Sequence, residues 1–494
     1  MTKHCLQGNL HIVSLGCPKN QVDSEFIAAD LKRAGLEIVP QAERANYILI
    51  NTCGFIESAI REAIDAILSA AEQRGNGNLR NIIVCGCVAQ RFTEEIAENL
   101  PEVDAIVGTK SYHQIVEVIE RLDAAREEDA HELMFVSPTS PEAMRPDGRR
   151  ELESLKSRGR SPLIFKSWER ADAISHMSGE RLVSTKSFAY LKIAEGCAHR
   201  CAYCAIPGIR GVHISRPMED ILREAENLLD QGVREIILVA QDLSYYGKDL
   251  YGRRRLNDLI SALLEDQRLK WLRCLYLYPE AINEGFLDLM SKDSRFCPYV
   301  DLPVQHASDA VLKRMRRREN GAELRAIIQR LRERVPDISI RTTVMLGFPG
   351  ETDEDFECLM DFVRDMRFDH LGAFVFSPEE GTDAATMENQ VDTEIAKKRY
   401  NELMQTQQAI SRENLSRWVG RTLEVLVEDV SDDGLFYIGR ASIQAPEIDS
   451  KIYLLAQRED VQLSSFYEAR ILESDEYSLT GVIVDEHSEQ TDCN

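Results

Sequence analysis

A chain of 494 residues is too long for one compact domain, so two to four are expected. With 44% hydrophobic and 29% charged residues it has the balance of a folded globular protein; it contains no apolar run of 18 residues to span a membrane and no basic-then-apolar start to direct secretion. A formal charge of −24 disfavours direct nucleic-acid binding and suits a basic protein partner, and twelve cysteines without an export signal fit a reducing cytoplasm, where thiols serve as metal ligands, catalytic groups or core residues rather than disulfides.

Residues 8–136 alternate short apolar runs (10–15, 47–50 and 82–85) with helical patterns at 24–34 and 59–73. Strand and helix in repetition predict a doubly wound α/β domain with a parallel sheet. From 137 to 186 Pro138, Pro141 and Pro162 stand among Ser, Arg, Glu and Lys without periodicity, which reads as a flexible linker or insertion. The alternation resumes over 187–416, with strands expected at 188–193, 235–240, 272–277, 299–304, 339–346 and 372–376. Six such units predict a partial (β/α)6 barrel with its chemistry at the carboxyl ends of the strands. Over 417–485 five short strands between turn residues predict a small antiparallel β-barrel.

The most specific local signal is Cys197-Ala-His-Arg-Cys201-Ala-Tyr-Cys204, directly after the first strand of the central segment. Three thiolates on one loop can cap three irons of a four-iron cube and leave the fourth open to a small ligand. A structural zinc site would want a fourth Cys or His. His199 is the nearest candidate, and it points away if the three cysteines converge. A second set is spread out: Cys17, Cys53 and Cys87 each follow a predicted strand through one small or polar residue. Parallel strands end on one edge, so three thiols distant in sequence can meet there and hold a second cluster. Isolated cysteines are often only small buried hydrophobes, but three at a common offset from three strands form a pattern. Cys85, inside its strand, reads as structural; Cys5, Cys274, Cys297, Cys358 and Cys493 are unclustered.

The Cys-x-x-x-Cys-x-x-Cys loop with Tyr203 before its last cysteine resembles the radical S-adenosylmethionine superfamily. The three upstream cysteines and a C-terminal barrel similar to a TRAM domain narrow this to the methylthiotransferases. Ser14-Leu-Gly-Cys-Pro-Lys-Asn-Gln-Val-Asp-Ser-Glu25, Asn51-Thr-Cys-Gly-Phe-Ile-Glu-Ser58, Val239-Ala-Gln-Asp242, Asp301-Leu-Pro-Val-Gln-His306, Gly347-Phe-Pro-Gly-Glu-Thr352 and Phe376-Ser-Pro-Glu-Glu-Gly-Thr382 resemble the branch that modifies a ribosomal protein. So do Tyr437-Ile-Gly-Arg440 and Ala445-Pro-Glu-Ile-Asp449 in the barrel. Ala198, where that branch has Asn, is a departure outside the ligand set.

The resemblance implies two [4Fe-4S] clusters, held by Cys197, Cys201, Cys204 and by Cys17, Cys53, Cys87, with S-adenosylmethionine on the first. It also implies methylthiolation of an aspartate β-carbon on ribosomal protein S-12 of the small subunit, and an electron donor. The tRNA-modifying branch is the alternative. Residues 420–494, with 5 Lys and Arg against 17 Asp and Glu, favour a basic protein over tRNA. Tyr203, Gln241, Gln305, Arg341 and Phe376 are the candidates for binding the organic parts of the cofactor. The other readings are local backbone satisfaction for the glutamines and an ordinary salt bridge for Arg341. His306 reads as a hydrogen-bonded structural histidine in preference to a proton carrier, and Gly347-Phe-Pro-Gly350 as a turn.

Overall fold

The computed structural model describes residues 6–76, 78–127, 135–136, 162–167, 169, 172–456 and 460–484. In the N-terminal domain seven strands pair in the order Glu37–Ile38, Asn9–Ser14, Tyr47–Thr52, Asn81–Gly86, Ala105–Gly108, Leu163–Phe165, Phe135–Val136, every pair parallel. Tyr47–Thr52 and Asn81–Gly86 are buried at every residue, which is why they read as unbroken apolar runs. One face of the sheet packs on Ile27, Leu31, Ile115 and Val118, the other on Ala63, Ile67 and Ile96.

The linker expected at 137–186 is corrected where it is described. Leu163–Phe165 is a strand of the N-terminal sheet, in register with Ala105–Val107, and His176, Met177 and Arg181 are buried. A three-residue strand between polar neighbours carries no measurable period, so only its partner strand reveals it. Residues 137–161 lie outside the described residues.

In the central segment six strands run parallel as two three-strand sheets, Trp271–Cys274, Glu235–Val239, Phe188–Lys192 and Tyr299–Asp301, Ser339–Leu346, His370–Val375. Their outward residues, such as Leu191, Ile236, Leu272, Ile340 and Val344, pack under the helices Met218–Asp230, Leu256–Leu264, Gly321–Arg334 and Asp353–Met366. The inward face of the first sheet is covered by the other two domains. Its Tyr190, Ile237 and Trp271, with Tyr299 of the second sheet, pack with Val22 and Phe26 of the N-terminal domain and with Leu426 and Ala445 of the C-terminal one.

The C-terminal segment closes as a five-stranded barrel, Thr422–Val430, Tyr437–Ala441, Lys451–Leu455, Ser478–Ile483, Ser465–Ser474. Its pairings are antiparallel except the one between Lys451–Leu455 and Ser478–Ile483, which is parallel. Buried Arg440 fixes this barrel to the central one by pairing with Glu235 and Glu428, while Arg273 pairs with the same Glu235 (2.8 Å) and donates to the Ser442 carbonyl (2.9 Å). Such pairs orient the domains, since desolvation offsets much of their attraction.

Candidate functional site

In the N-terminal domain each strand of the trio Asn9–Ser14, Tyr47–Thr52 and Asn81–Gly86 is followed by its cysteine: Cys17 immediately precedes the helix Pro18–Arg33, Cys53 follows its strand directly, and Cys87 opens the helix Cys87–Arg91. The three chain segments lie against one another. A Cβ on Gly16, which has φ +89°, would lie 2.4 Å from the Cys53 Cβ, and one on Gly54 would lie 2.9 Å from the Val88 amide nitrogen. Only glycine permits that approach, and at Gly16 it also supplies the left-handed conformation. Cys85 is fully buried in its strand.

The thiols of this set differ in electrostatic setting. Burial opposes ionisation of Cys17, but the charges of Lys19 and Arg210 outweigh it and hold the thiol below its ordinary range. Cys53 is pushed up to about 11, by burial and then by the neighbouring Cys17 and Cys87. Cys87 is also raised by burial, against the opposing pull of Arg210, whose Nε donates to its sulfur at 3.3 Å.

The second set sits on the loop after the first central strands. Cys197 and Cys204 are raised to about 11 and about 12, chiefly by burial, and Cys201 lies 3.8 Å from the Tyr278 hydroxyl. His199 is not a ligand candidate: it stacks on Tyr278 (centroids 3.9 Å apart, planes at 5°) and donates from Nε2 to Asp242 at 2.9 Å. All six cysteines are free. Among the described residues no three His, Cys, Asp or Glu side chains converge as they would on a single metal ion; thiolates that cap separate corners of a cube need not.

What joins the two sets is a buried polar cluster that sequence reasoning missed. Arg210, 1% exposed, pairs through Nη1 with Asp23 (2.8 Å) of the N-terminal domain and Glu195 (2.9 Å) of the central one, and through Nη2 with Asn20. Lys192 bonds the same two carboxylates at 2.6 and 2.5 Å, and His176 donates to Asp23 at 2.9 Å. Two cations against two carboxylates leave the cluster balanced, and Asp23 is held well below the carboxylate range: burial opposes this, and Lys192 and Arg210 overcome it. The available signal was helix Pro18–Arg33, whose buried face includes Lys19, Asn20, Asp23 and Ser24 beside its apolar residues. Such a face needs charged partners elsewhere in the chain.

The candidates for the cofactor's organic parts divide. Tyr203, Phe348 and Phe376 form one apolar patch against the cysteine loop, with ring centroids 6.4 and 5.4 Å apart. Gln241 donates to Glu195 at 2.9 Å and keeps its own Oε1 without a partner. Gln305 follows its strand with φ +69° and is held by backbone bonds to Thr343 and Met345 of 2.8 Å each; Tyr276, at φ +62°, is strained in the same way. Arg341 is corrected. It is the third residue of its strand, beside His370 at the start of the next, and so lies away from the carboxyl ends; there it pairs with Asp449 of the C-terminal barrel at 2.6 Å and donates to the Ile448 carbonyl. His306 is fully buried, accepts from the Ser308 amide at 3.0 Å, and is driven down to about 3 by burial, the setting of a neutral structural histidine.

Three family models match in order along the chain: the uncharacterized protein family UPF0004 at 9–108, the radical SAM superfamily at 191–363 and the TRAM domain at 419–484. A ribosomal protein uS12 methylthiotransferase RimO of Acetivibrio thermocellus is 42% identical over 97% of this chain and 98% of its own length. Its counterpart in Geobacter sulfurreducens is 41% identical over 96% and 98%, and that of Clostridioides difficile 39% over 95% and 98%. The chain belongs to the RimO family of radical S-adenosylmethionine methylthiotransferases. Membership brings a [4Fe-4S] cluster and S-adenosylmethionine with it. The solved radical S-adenosylmethionine methyltransferase TsrM of Kitasatospora setae shares the fold, with a TM-score of 0.50 and 13% identity over 75% of this chain and 72% of that one. Among the described residues of this RimO-family chain no helix is long and apolar enough to cross a membrane.

Proposed function

We propose that this chain uses two four-iron clusters, one on Cys197, Cys201 and Cys204 and one on Cys17, Cys53 and Cys87, to methylthiolate the β-carbon of an aspartate on ribosomal protein S-12 in the cytoplasm. The observation that carries the reading is that two sets of three free thiols belong to domains locked together by one buried guanidinium, that of Arg210, which bonds a thiol of one set and the carboxylate two residues before the other. Thiols fit the donor set of such a cluster, and three per cube leave one iron to a ligand from outside. With the clusters and S-adenosylmethionine bound, the cofactors would relay the electron and supply the radical and the sulfur.

The chain's own residues supply placement and shielding. Lys19 and Arg210 favour the thiolate at Cys17, and the Arg210 Nε–H would stabilise a thiolate at Cys87. The patch of Tyr203, Phe348 and Phe376 excludes water beside the loop where a radical would form. The unpartnered Gln241 Oε1 is an acceptor available to a nucleoside or ammonium donor. The relatives' name points to uS12, and the acidic C-terminal segment favours a basic protein over tRNA. Electrons must come from a separate donor.

Anaerobic reconstitution tests this. About eight irons per chain are expected, with 5′-deoxyadenosine formed on reduction and the mass of one methylthio group added to S-12. Zinc alone, or half that iron, would overturn the two-cluster assignment; modification of tRNA in place of S-12 would overturn the substrate.

A further inference from the structure

Among the described residues, one cation beside the upstream thiols has no carboxylate partner and shares only the Cys17 thiolate with Arg210. Lys19 is the second residue of the helix Pro18–Arg33, two positions from Cys17, and is only 8% exposed. Its ammonium lies 3.4 Å from the centroid of the Tyr276 ring, which belongs to the central domain. Among the described residues no carboxylate lies within ion-pair distance of it. The acid that shares its surroundings, Asp301, instead accepts from the Tyr276 amide at 2.9 Å.

The other buried cations near the two thiol sets are committed. Arg210 and Lys192 are saturated by Asp23 and Glu195. Arg317 donates to the Pro303 carbonyl at 3.1 Å and stacks over Tyr278 at 4.4 Å. The first turn of the Lys19 helix carries no acidic residue, and no side chain caps it, so the helix dipole adds positive potential at the same place. A buried lysine is normally paired with a carboxylate, and an aromatic face repays only part of its desolvation.

We infer that Lys19 receives the carboxylate of the substrate aspartate, holding its β-carbon between the two thiol sets and making the site selective for an acidic side chain over its amide. This rests on the aspartate-methylthiolation reading and names the residue that would enforce it. The ammonium is held at the junction of the two domains, against Tyr276, so it is preorganised for an anion that enters between them. A neutral amide offers no charge to balance Lys19 and would leave it desolvated and unpaired.

The test compares reconstituted wild-type protein with Lys19→Gln, Lys19→Met and Lys19→Arg on two forms of S-12, one with aspartate and one with asparagine at the modified position. Iron content and the electron paramagnetic resonance spectrum of each variant are measured alongside. Wild type is expected to favour aspartate strongly. Lys19→Gln and Lys19→Met should lose on the order of 30-fold in kcat/KM on the aspartate form, chiefly through KM, with little change on the asparagine form; Lys19→Arg should keep most of the preference. Undiminished preference in Lys19→Gln and Lys19→Met overturns the assignment. So does loss of iron or a changed cluster spectrum with the preference intact, because Lys19 would then serve the Cys17 thiolate alone and not the substrate. Wild-type protein that modifies neither form counts against the methylthiolation reading itself, a result distinct from the other two.

Discussion

The two sets of thiols are built in opposite ways. Cys197, Cys201 and Cys204 share one eight-residue stretch of loop, so their proximity is a local property of the chain. Cys17, Cys53 and Cys87 come from three strand ends, and meet only because Asn9–Ser14, Tyr47–Thr52 and Asn81–Gly86 lie side by side in a parallel sheet. The first set therefore tolerates damage elsewhere in its domain, while the second depends on the register of a whole sheet and on close approaches such as that of Gly16 to Cys53. A site assembled from three strands gains rigidity from the sheet, and it pays in sensitivity to any change that shifts one strand against the next.

The largest effect that would separate the two sets is a pair of substitutions. Cys201→Ala should abolish both 5′-deoxyadenosine formation and methylthio transfer, whereas Cys53→Ala should keep cofactor cleavage and lose transfer, each retaining about half the iron of the wild type. Product chromatography, mass spectrometry and iron analysis read the difference, and equal loss of cleavage in both variants would contradict the division of labour.

Next in size is the element that joins the sets. Arg210→Met leaves Asp23 and Glu195 buried beside Lys192 alone, and should cost about 3–5 kcal/mol in chemical unfolding. Arg210→Lys should recover part of this, since an ammonium cannot reproduce the fork that reaches Asp23, Glu195, Asn20 and the Cys87 sulfur together. An Arg210→Met protein as stable as wild type would mean that the domains are held by other contacts.

The smallest effect concerns the central domain by itself. Burial holds His306 down to about 3 in the folded protein, below the ordinary histidine value of 6.5. Between those pH values the unfolded chain binds a proton that the folded one does not, so stability falls as pH drops, by up to about 1.4 kcal/mol per pH unit from this group. Above 6.5 both states are neutral there and the contribution is flat. His306→Asn should remove one proton from the slope of stability between pH 6.5 and pH 4, as measured by urea unfolding; an unaltered slope would show that His306 is not held neutral.

Much of the fold was legible because its strands and helices announce themselves. Ser339–Leu346 has the bounds expected of it, and the strands expected at 188–193 and 235–240 are found as Phe188–Lys192 and Glu235–Val239. Leu163–Phe165 was not legible, being too short to show a period and identified only by Ala105–Val107 beside it. Arg341 was misread although its strand was located correctly: as the third residue of 339–346 it lies in the amino-terminal half, and only its partner Asp449 depends on how the C-terminal barrel docks.

The order of residues was enough to reveal the chemistry of the donors: which cysteines share a loop, which follow strands at a common offset, and which segments alternate strand with helix. Those are matters of spacing along the chain, which is the same folded or unfolded. Folding alone brings Asp23 and Glu195 to balance Arg210 and Lys192, and sets Lys19 over Tyr276 without a carboxylate of its own. The physical reason is that a buried charge is governed by whatever else is buried with it, and those partners come from segments as far apart as Asp23 and Arg210.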